Sequence, residues 1–269
     1  MSLFQFGSLA AAMAVALSAV MAGAWMIQRR TGMTGWIDVC WTFGVGLVAT
    51  VGSLISLADQ PQPNARQILV AVLVAIWAIR LGGHILVRTR QVGDDPRYRD
   101  LIRQWEPSAD RRMFLQLQAQ AIVGSILTLS VALAAHNMRL QLGAADFLGT
   151  ALLVVALAGE TLSDRQLHQF RSDPANRGRI YEAGLWRLSR HPNYFFEWVC
   201  WLAYPVIAID WSGGGFLGWL ALLAPACMYW ALVHVSGIPP LEEHMLRSRG
   251  AQFREVQART RAFFPFPKW

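Results

Sequence analysis

The run Arg190-His191-Pro192-Asn193-Tyr194, followed by Glu197, is the densest set of chemically capable side chains in this sequence. Pro192 suits the first turn of a helix, where unpaired backbone N–H groups face an anion. Arg190 offers a planar fork for phosphate or carboxylate. Asn193 and Glu197 stand four residues apart, so on a helix they share a face and together can read an amide, one donating and one accepting. A second set, Glu160, Asp164, His168 and Arg171, follows the spacing i, i+4, i+8, i+11 of one helical stripe, and Trp77, Arg80, His84 and Arg88 form another at i, i+3, i+7, i+11. Asp38 completes the group as an acid inside an apolar stretch. Each set also has a plainer reading: Arg80 paired with Asp38 or Glu160 would close a helix bundle, and the 160–171 stripe would be a solvated helix extension.

Several chemistries are excluded. No GxGxxG follows a strand and no P-loop occurs, so a soluble Rossmann cofactor domain is ruled out. The histidines lack the HxxxH and HxxHH clusters of membrane di-iron enzymes. Cys40, Cys200 and Cys227 lie inside apolar runs without CxxC spacing, which points to neither a disulfide framework nor zinc. No metal is expected.

The elements that must position these residues are membrane helices. The chain has 269 residues, 54% hydrophobic and 15% charged, with mean hydropathy +0.32; soluble domains carry about 25% charge. Seven stretches approach the ~20 apolar residues that cross a bilayer: about 3–27, 36–57, 68–87, 114–135, 144–162, 194–209 and 215–235. Open sheet cannot cross lipid and strand alternation is absent, so the expected fold is all-α, a polytopic integral membrane bundle of about seven transmembrane helices in a single domain, 1–269. The first run lacks a basic n-region and is read as a retained anchor.

Charge sets the expected orientation. Of the 24 Lys and Arg residues, 21 fall in the loops at 28–35, 88–113 and 163–193 or in the tail after 236, leaving Arg66, Arg80 and Arg139 elsewhere. Basic loops stay in the cytosol, so the N-terminus is placed outside, the C-terminus in the cytosol and the active site on the cytosolic face of the inner membrane. The net charge of +7 suggests nucleic acid only superficially, because the basic residues are spread over membrane-adjacent loops where lipid headgroups neutralise some of them. Gln116, Gln118 and Gln120 cannot all share one helical face, so at least one is a candidate interhelical hydrogen bonder.

The string Leu188-Ser-Arg-His-Pro-Asn-Tyr-Phe-Phe-Glu197 and the tail from Pro239-Pro-Leu-Glu-Glu-His through Phe253 to Arg261-Ala-Phe-Phe-Pro-Phe266 resemble the steroid 5α-reductase C-terminal region. With Trp-Ile-Asp-Val-Cys-Trp in span two and Asp-Asp-Pro-Arg-Tyr in the third loop, the chain looks closest to the bacterial membrane proteins called DUF1295, over roughly residues 30–266. The resemblance implies an NADPH-dependent reductase of a conjugated carbon–carbon double bond in a lipophilic, steroid-like or other lipid substrate that enters from the membrane. Ser163-Asp164, Arg171, Asn193 with Tyr194, and Glu197 match the positions that hold NADPH in steroid reductases; the resemblance implies that Asp164 and Arg171 contact the adenosine and phosphate half of the cofactor while Asn193 and Glu197 hold the nicotinamide amide. Arg80, His84, Arg97, Arg190 and His191 are the further cofactor-binding candidates. Asp38 would be the catalytic acid near the substrate carbonyl. Trp77 stands where the family places a Tyr, which leaves Tyr98, Tyr194 or water as the proton source. Shorter pieces of the pattern are shared with isoprenylcysteine methyltransferases, so an S-adenosylmethionine-dependent methyltransferase using Arg190–Tyr194 and Glu242-Glu243 is the alternative. A non-enzymatic carrier is a third class. The sequence leaves the oligomeric state unknown.

Overall fold

The structure is a computed structural model that describes residues 3–55, 62–92, 102, 105–137, 139, 141–211, 215–266 and 268. Among these residues there are only helices, turns and loops. The helices are α1 (Leu3–Thr31), α2 (Gly35–Leu54), α3 (Ala65–Val92), α4 (Ala109–Ala135), α5 (Ala144–Ser172), α6 (Pro192–Ala208), the short α7 (Leu223–Trp230) and α8 (Ile238–Arg259). All seven expected apolar segments fall on helix. Six stretches are long and apolar enough to cross a membrane, the last being Leu217–Arg259. The remaining segment, α6, has 17 residues, about 25 Å at 1.5 Å per residue and short of a ~30 Å core.

Two of these helices outrun a bilayer for readable reasons. α5 has 29 residues, because the polar stripe from Glu160 to Arg171 continues the helix instead of ending it. The 43-residue stretch Leu217–Arg259 changes character at a π-helical turn, Ala231–Val235, where both Ser236 N–H and Gly237 N–H donate to the Ala231 carbonyl. Past Gly237, Pro239 and Pro240 sit at the start of α8, which carries Glu242, Glu243, Arg247, Arg249, Arg254, Glu255 and Arg259. The apolar crossing part therefore ends before α8.

The chain divides into two compact units. The first comprises Met1–Phe147 with Tyr204–Ala224. In it α2 packs on α1, α3 and α4, with Leu17, Met21, Ile37, Trp77, Leu117 and Leu127 buried between them. Close approach of α2 and α3 depends on Gly46, since a Cβ there would overlap the Ala78 methyl. Small residues permit such approach when lipid provides no hydrophobic drive. Gly46→Ala is expected to cost about 1–3 kcal/mol through overpacking, seen as a lower Tm of the purified protein, with Gly83→Ala as the control because its added methyl meets open space. Gln118 is one such interhelical hydrogen bonder: its Oε1 accepts from Ser18 Oγ at 2.7 Å.

One corner of this unit holds a buried ion pair that sequence reasoning passed over. Arg66 is 2% exposed and Asp146 fully buried; Arg66 Nε donates to Asp146 Oδ1 at 2.7 Å and Nη2 to Oδ2 at 3.1 Å. The same guanidinium donates to the carbonyls of Asn137, Arg139 and Gln141, and Gly143 N–H donates to Asp146 Oδ2. Asn137 Nδ2 in turn donates to the Ile207 and Ala208 carbonyls that α6 leaves open at its end.

The second unit comprises Leu148–Ala203 with Pro225–Trp269. It contains most of α5, the first turns of α6, the π turn and α8. At Gly159 a Cβ would overlap the Phe196 ring. The glycine lets α6 lie against the segment of α5 that bears Glu160, Ser163 and Asp164.

Candidate functional site in the second unit

Helix α6 begins at Pro192, as the sequence implies, with the proline at the position where a missing N–H costs nothing. This start projects Asn193 from the first turn, Glu197 from the second and Cys200 from the third. Asn193 Nδ2 donates to Asp164 Oδ1 at 3.3 Å, so the two motifs that the sequence separates meet directly. Deeper along the same helices, Glu160, Glu197 and Cys200 are all buried, with ligating atoms within 4.8 Å of one another. Carboxylates this close in a buried setting are stable only with a positive partner or a shared proton between them. Glu197 Oε1 also accepts from Trp201 Nε1 at 2.9 Å, which fixes its orientation. The grouping of Glu160 with Glu197 and Cys200 was not foreseen, although the apolar setting of both acids was its only signal.

Neighbouring contacts hold the rim. Ser163 is buried, its hydroxyl donates to the Gly159 carbonyl, and its own carbonyl accepts from Trp186 Nε1 at 3.0 Å. Gln166 Oε1 accepts from Leu185 N–H. Arg171 and His168 lie farther out on α5 and are exposed. Asp164 and Asn193 lie side by side. Arg171 lies about 10 Å farther along α5.

Arg190 and His191 occupy a different environment from Asn193. Arg190 Nε and Nη2 form a bidentate pair with Glu242 at 2.7 and 3.0 Å, and Nη1 donates to the Thr260 carbonyl. His191 Nε2 lies 3.1 Å from Glu242 Oε1, and Gln257 Nε2 donates to Oε2 at 2.7 Å. Backbone bonds extend the clasp: Arg190 N–H donates to the Arg261 carbonyl, and Ser189 Oγ to those of Ala262 and Phe263. The Phe195, Trp198 and Tyr229 rings enclose Phe263 and Phe264. Tyr194 stacks on the His191 ring at 5.6 Å. Burial would raise the Glu242 carboxyl, but the hydrogen bonds from His191, Arg190 and Gln257 outweigh it and hold it at about 2. Burial pushes the His191 imidazole below its ordinary range, with Glu242 opposing.

The remaining expected site residues lie in the first unit or outside the described residues. Asp38 is half-buried in the first turns of α2, Arg80 is half-buried on α3, and His84 is exposed on α3. Trp77, on the same stripe, is 1% exposed. Arg97 and Tyr98, with the Asp-Asp-Pro-Arg-Tyr segment, lie outside the described residues.

A family model described as a protein of unknown function (DUF1295) matches residues 24–260. The chain belongs to the DUF1295 family. No curated protein and no solved structure gives a significant match. The DUF1295 region runs from the last turns of α1 through α8, so Asp38, the 160–171 stripe, the 190–197 segment and Glu242 all lie inside it.

Proposed function

We propose that this DUF1295 protein is a membrane-embedded reductase that uses NADPH to saturate a carbon–carbon double bond conjugated to a carbonyl in a lipophilic substrate, working on the cytosolic side of the membrane. The observation that carries the reading is the contact of Asn193 with Asp164 beside Glu197. The donor set fits the cofactor. A carboxamide needs one donor and one acceptor, and Asn193, with one N–H given to Asp164, keeps the other N–H and its carbonyl for a ligand, while Glu197 supplies a carboxylate one turn along. Arg171 offers a charged fork for phosphate.

When bound, NADPH supplies the hydride. The protein groups do the rest. Asp164 sets which way the Asn193 amide faces, and the Trp201 indole sets Glu197, so the amide reader is oriented before a ligand arrives. On the substrate, negative charge builds on the carbonyl oxygen as hydride reaches the β-carbon, and a donor in a dry site stabilises that oxygen most where the charge is greatest. Asp38 is the candidate donor, on the family resemblance.

One observation favours the methyltransferase reading: Arg190 and His191 do meet Glu242, as a shared methyl-donor site would require. That cluster is closed on itself, however, with all three guanidinium nitrogens directed at Glu242 and main-chain carbonyls. It serves better as a clasp than as a ligand site.

Titrating the purified protein with NADPH and, separately, with S-adenosylmethionine while following the thermal midpoint decides between the two, since a ligand selective for the folded state raises it. NADPH is expected to stabilise. Asn193→Ala and Arg171→Ala are each expected to weaken NADPH about tenfold or more, the loss of an amide hydrogen bond in the first and of a charge-assisted contact in the second. Asp38→Asn is expected to leave binding intact and depress turnover of an enone. Stabilisation by the methyl donor alone would reverse the assignment.

A further inference from the structure

The inner surface of the Arg-rich end of α1 carries a site that the reductase reading does not use. At the last turns of α1, Trp25, Met26, Arg29 and Arg30 line an open cleft of about 280 Å³. Its wall is already organised. The Arg29 guanidinium lies over the Trp25 ring at 4.8 Å from the centroid and pairs with Asp110 at 3.2 Å. The indole N–H donates to the Asp110 carbonyl, and Phe114 meets the Trp25 ring edge-on at 5.4 Å. Arg30, the next residue, is exposed and makes no ion pair among the described residues. Asp110 thus balances one guanidinium and leaves one positive charge on the cleft.

The location narrows what neutralises that charge. The cleft is at the end of an apolar span, Phe4–Thr31, where headgroups lie, and tryptophan and arginine side chains favour that depth. α1 has only 22% of its most apolar window buried, the smallest share of the six candidate spans, so its flank faces lipid. Val15, Met26 and Ile27 are exposed along it and continue from the cleft toward the bilayer interior. A volume of 280 Å³ is just below the ~300 Å³ at which small-ligand pockets begin and suits a headgroup whose chains remain outside.

We infer that this cleft binds the phosphate of an anionic glycerophospholipid, with Arg30 as the charge-pairing residue, Arg29 and Trp25 as the wall, and the acyl chains along the Val15, Met26 and Ile27 flank. The shared chemistry is a phosphodiester monoanion; in a zwitterionic lipid its charge is cancelled by the lipid's own cation, and the uncancelled single charge of the anionic lipid is what Arg30 selects. Site and ligand are independent of the cofactor assignment.

The full-length protein in nanodiscs of phosphatidylcholine is titrated with phosphatidylglycerol, and bound lipid is counted by native mass spectrometry. Wild type is expected to retain one phosphatidylglycerol preferentially, Arg30→Gln to bind it about fivefold more weakly, one basic residue's worth at a membrane surface, and Trp25→Leu to weaken it as well. Arg254→Gln, an exposed arginine of α8, serves as the charge control and is expected to leave the preference intact. Equal affinity in Arg30→Gln and wild type, or equal retention of phosphatidylcholine, would overturn the site. Inorganic phosphate is added in a parallel arm; displacement of the lipid by it would show an adaptable anion site instead and reject the lipid assignment. An unchanged Tm of Arg30→Gln in pure phosphatidylcholine shows that loss of lipid is not loss of fold, and a Tm fall there would move the reading to Trp25→Leu.

Discussion

Asp146→Asn is expected to be the most damaging single substitution in the chain, lowering stability by about 3–5 kcal/mol and Tm by on the order of 10 °C. The reason is what remains. The Arg66 guanidinium, 2% exposed, would keep its charge and lose the carboxylate that balances it at hydrogen-bonding distance. In many proteins a buried pair can be replaced by two apolar residues at little cost. Here it cannot, because Arg66 also satisfies the carbonyls of Asn137, Arg139 and Gln141. The double variant Arg66→Met/Asp146→Leu is therefore expected to stay well below wild type, each orphaned carbonyl adding about 1–3 kcal/mol. Thermal unfolding of the three proteins in one detergent is the check, and a double variant as stable as wild type would show the carbonyl contacts to be incidental.

Glu242→Gln is expected to have the next largest effect, about 3 kcal/mol, at the low end for a broken buried pair because Arg190 retains its main-chain carbonyl partners. Its signature is in the pH dependence. Glu242 titrates near 2 when folded against an ordinary 4.5, so its contribution is complete above about 4.5 and is lost as pH falls toward 2. His191 is held below its ordinary 6.5, so the unfolded chain takes up a proton there before the folded one does, and stability falls as pH drops through 6.5. Both groups make the native state acid-sensitive. Tm plotted against pH is expected to slope downward below 6.5 and more steeply below 4.5 in wild type, with the lower limb flattened in Glu242→Gln. A parallel pair of curves would remove Glu242 from this role. On the reductase reading proposed above, loosening the turn that leads into Asn193 is expected to lower NADPH affinity in the same variant.

How much of this was readable beforehand depends on the range of the interaction. Apolar length sufficed for the helices, and the 160–171 stripe marked α5 as running on beyond its apolar part, because helical periodicity is a local property. Pro192 announced the start of α6 for the same reason. The direct contact of Asp164 with Asn193 was not legible: the resemblance put them in one pocket but at different halves of a cofactor, and no spacing rule links two helices. The pairing of Arg66 with Asp146 was not legible because they are 80 residues apart and each stands as an ordinary residue at a helix start. Arg190 and His191 read as ligand-facing from their own segment; their partner Glu242 is about fifty positions on, in a helix whose placement the segment itself does not encode.

That separation orders events in time. The turn at Arg190 is completed by the Thr260 carbonyl, 70 residues later. At about 5–20 residues per second of ribosomal synthesis, Asn193 emerges several seconds before the segment that steadies it exists. A nascent chain stalled before Thr260 would have its earlier helices threaded into lipid and yet hold an unfinished turn, leaving quality-control proteases a window that the completed chain closes.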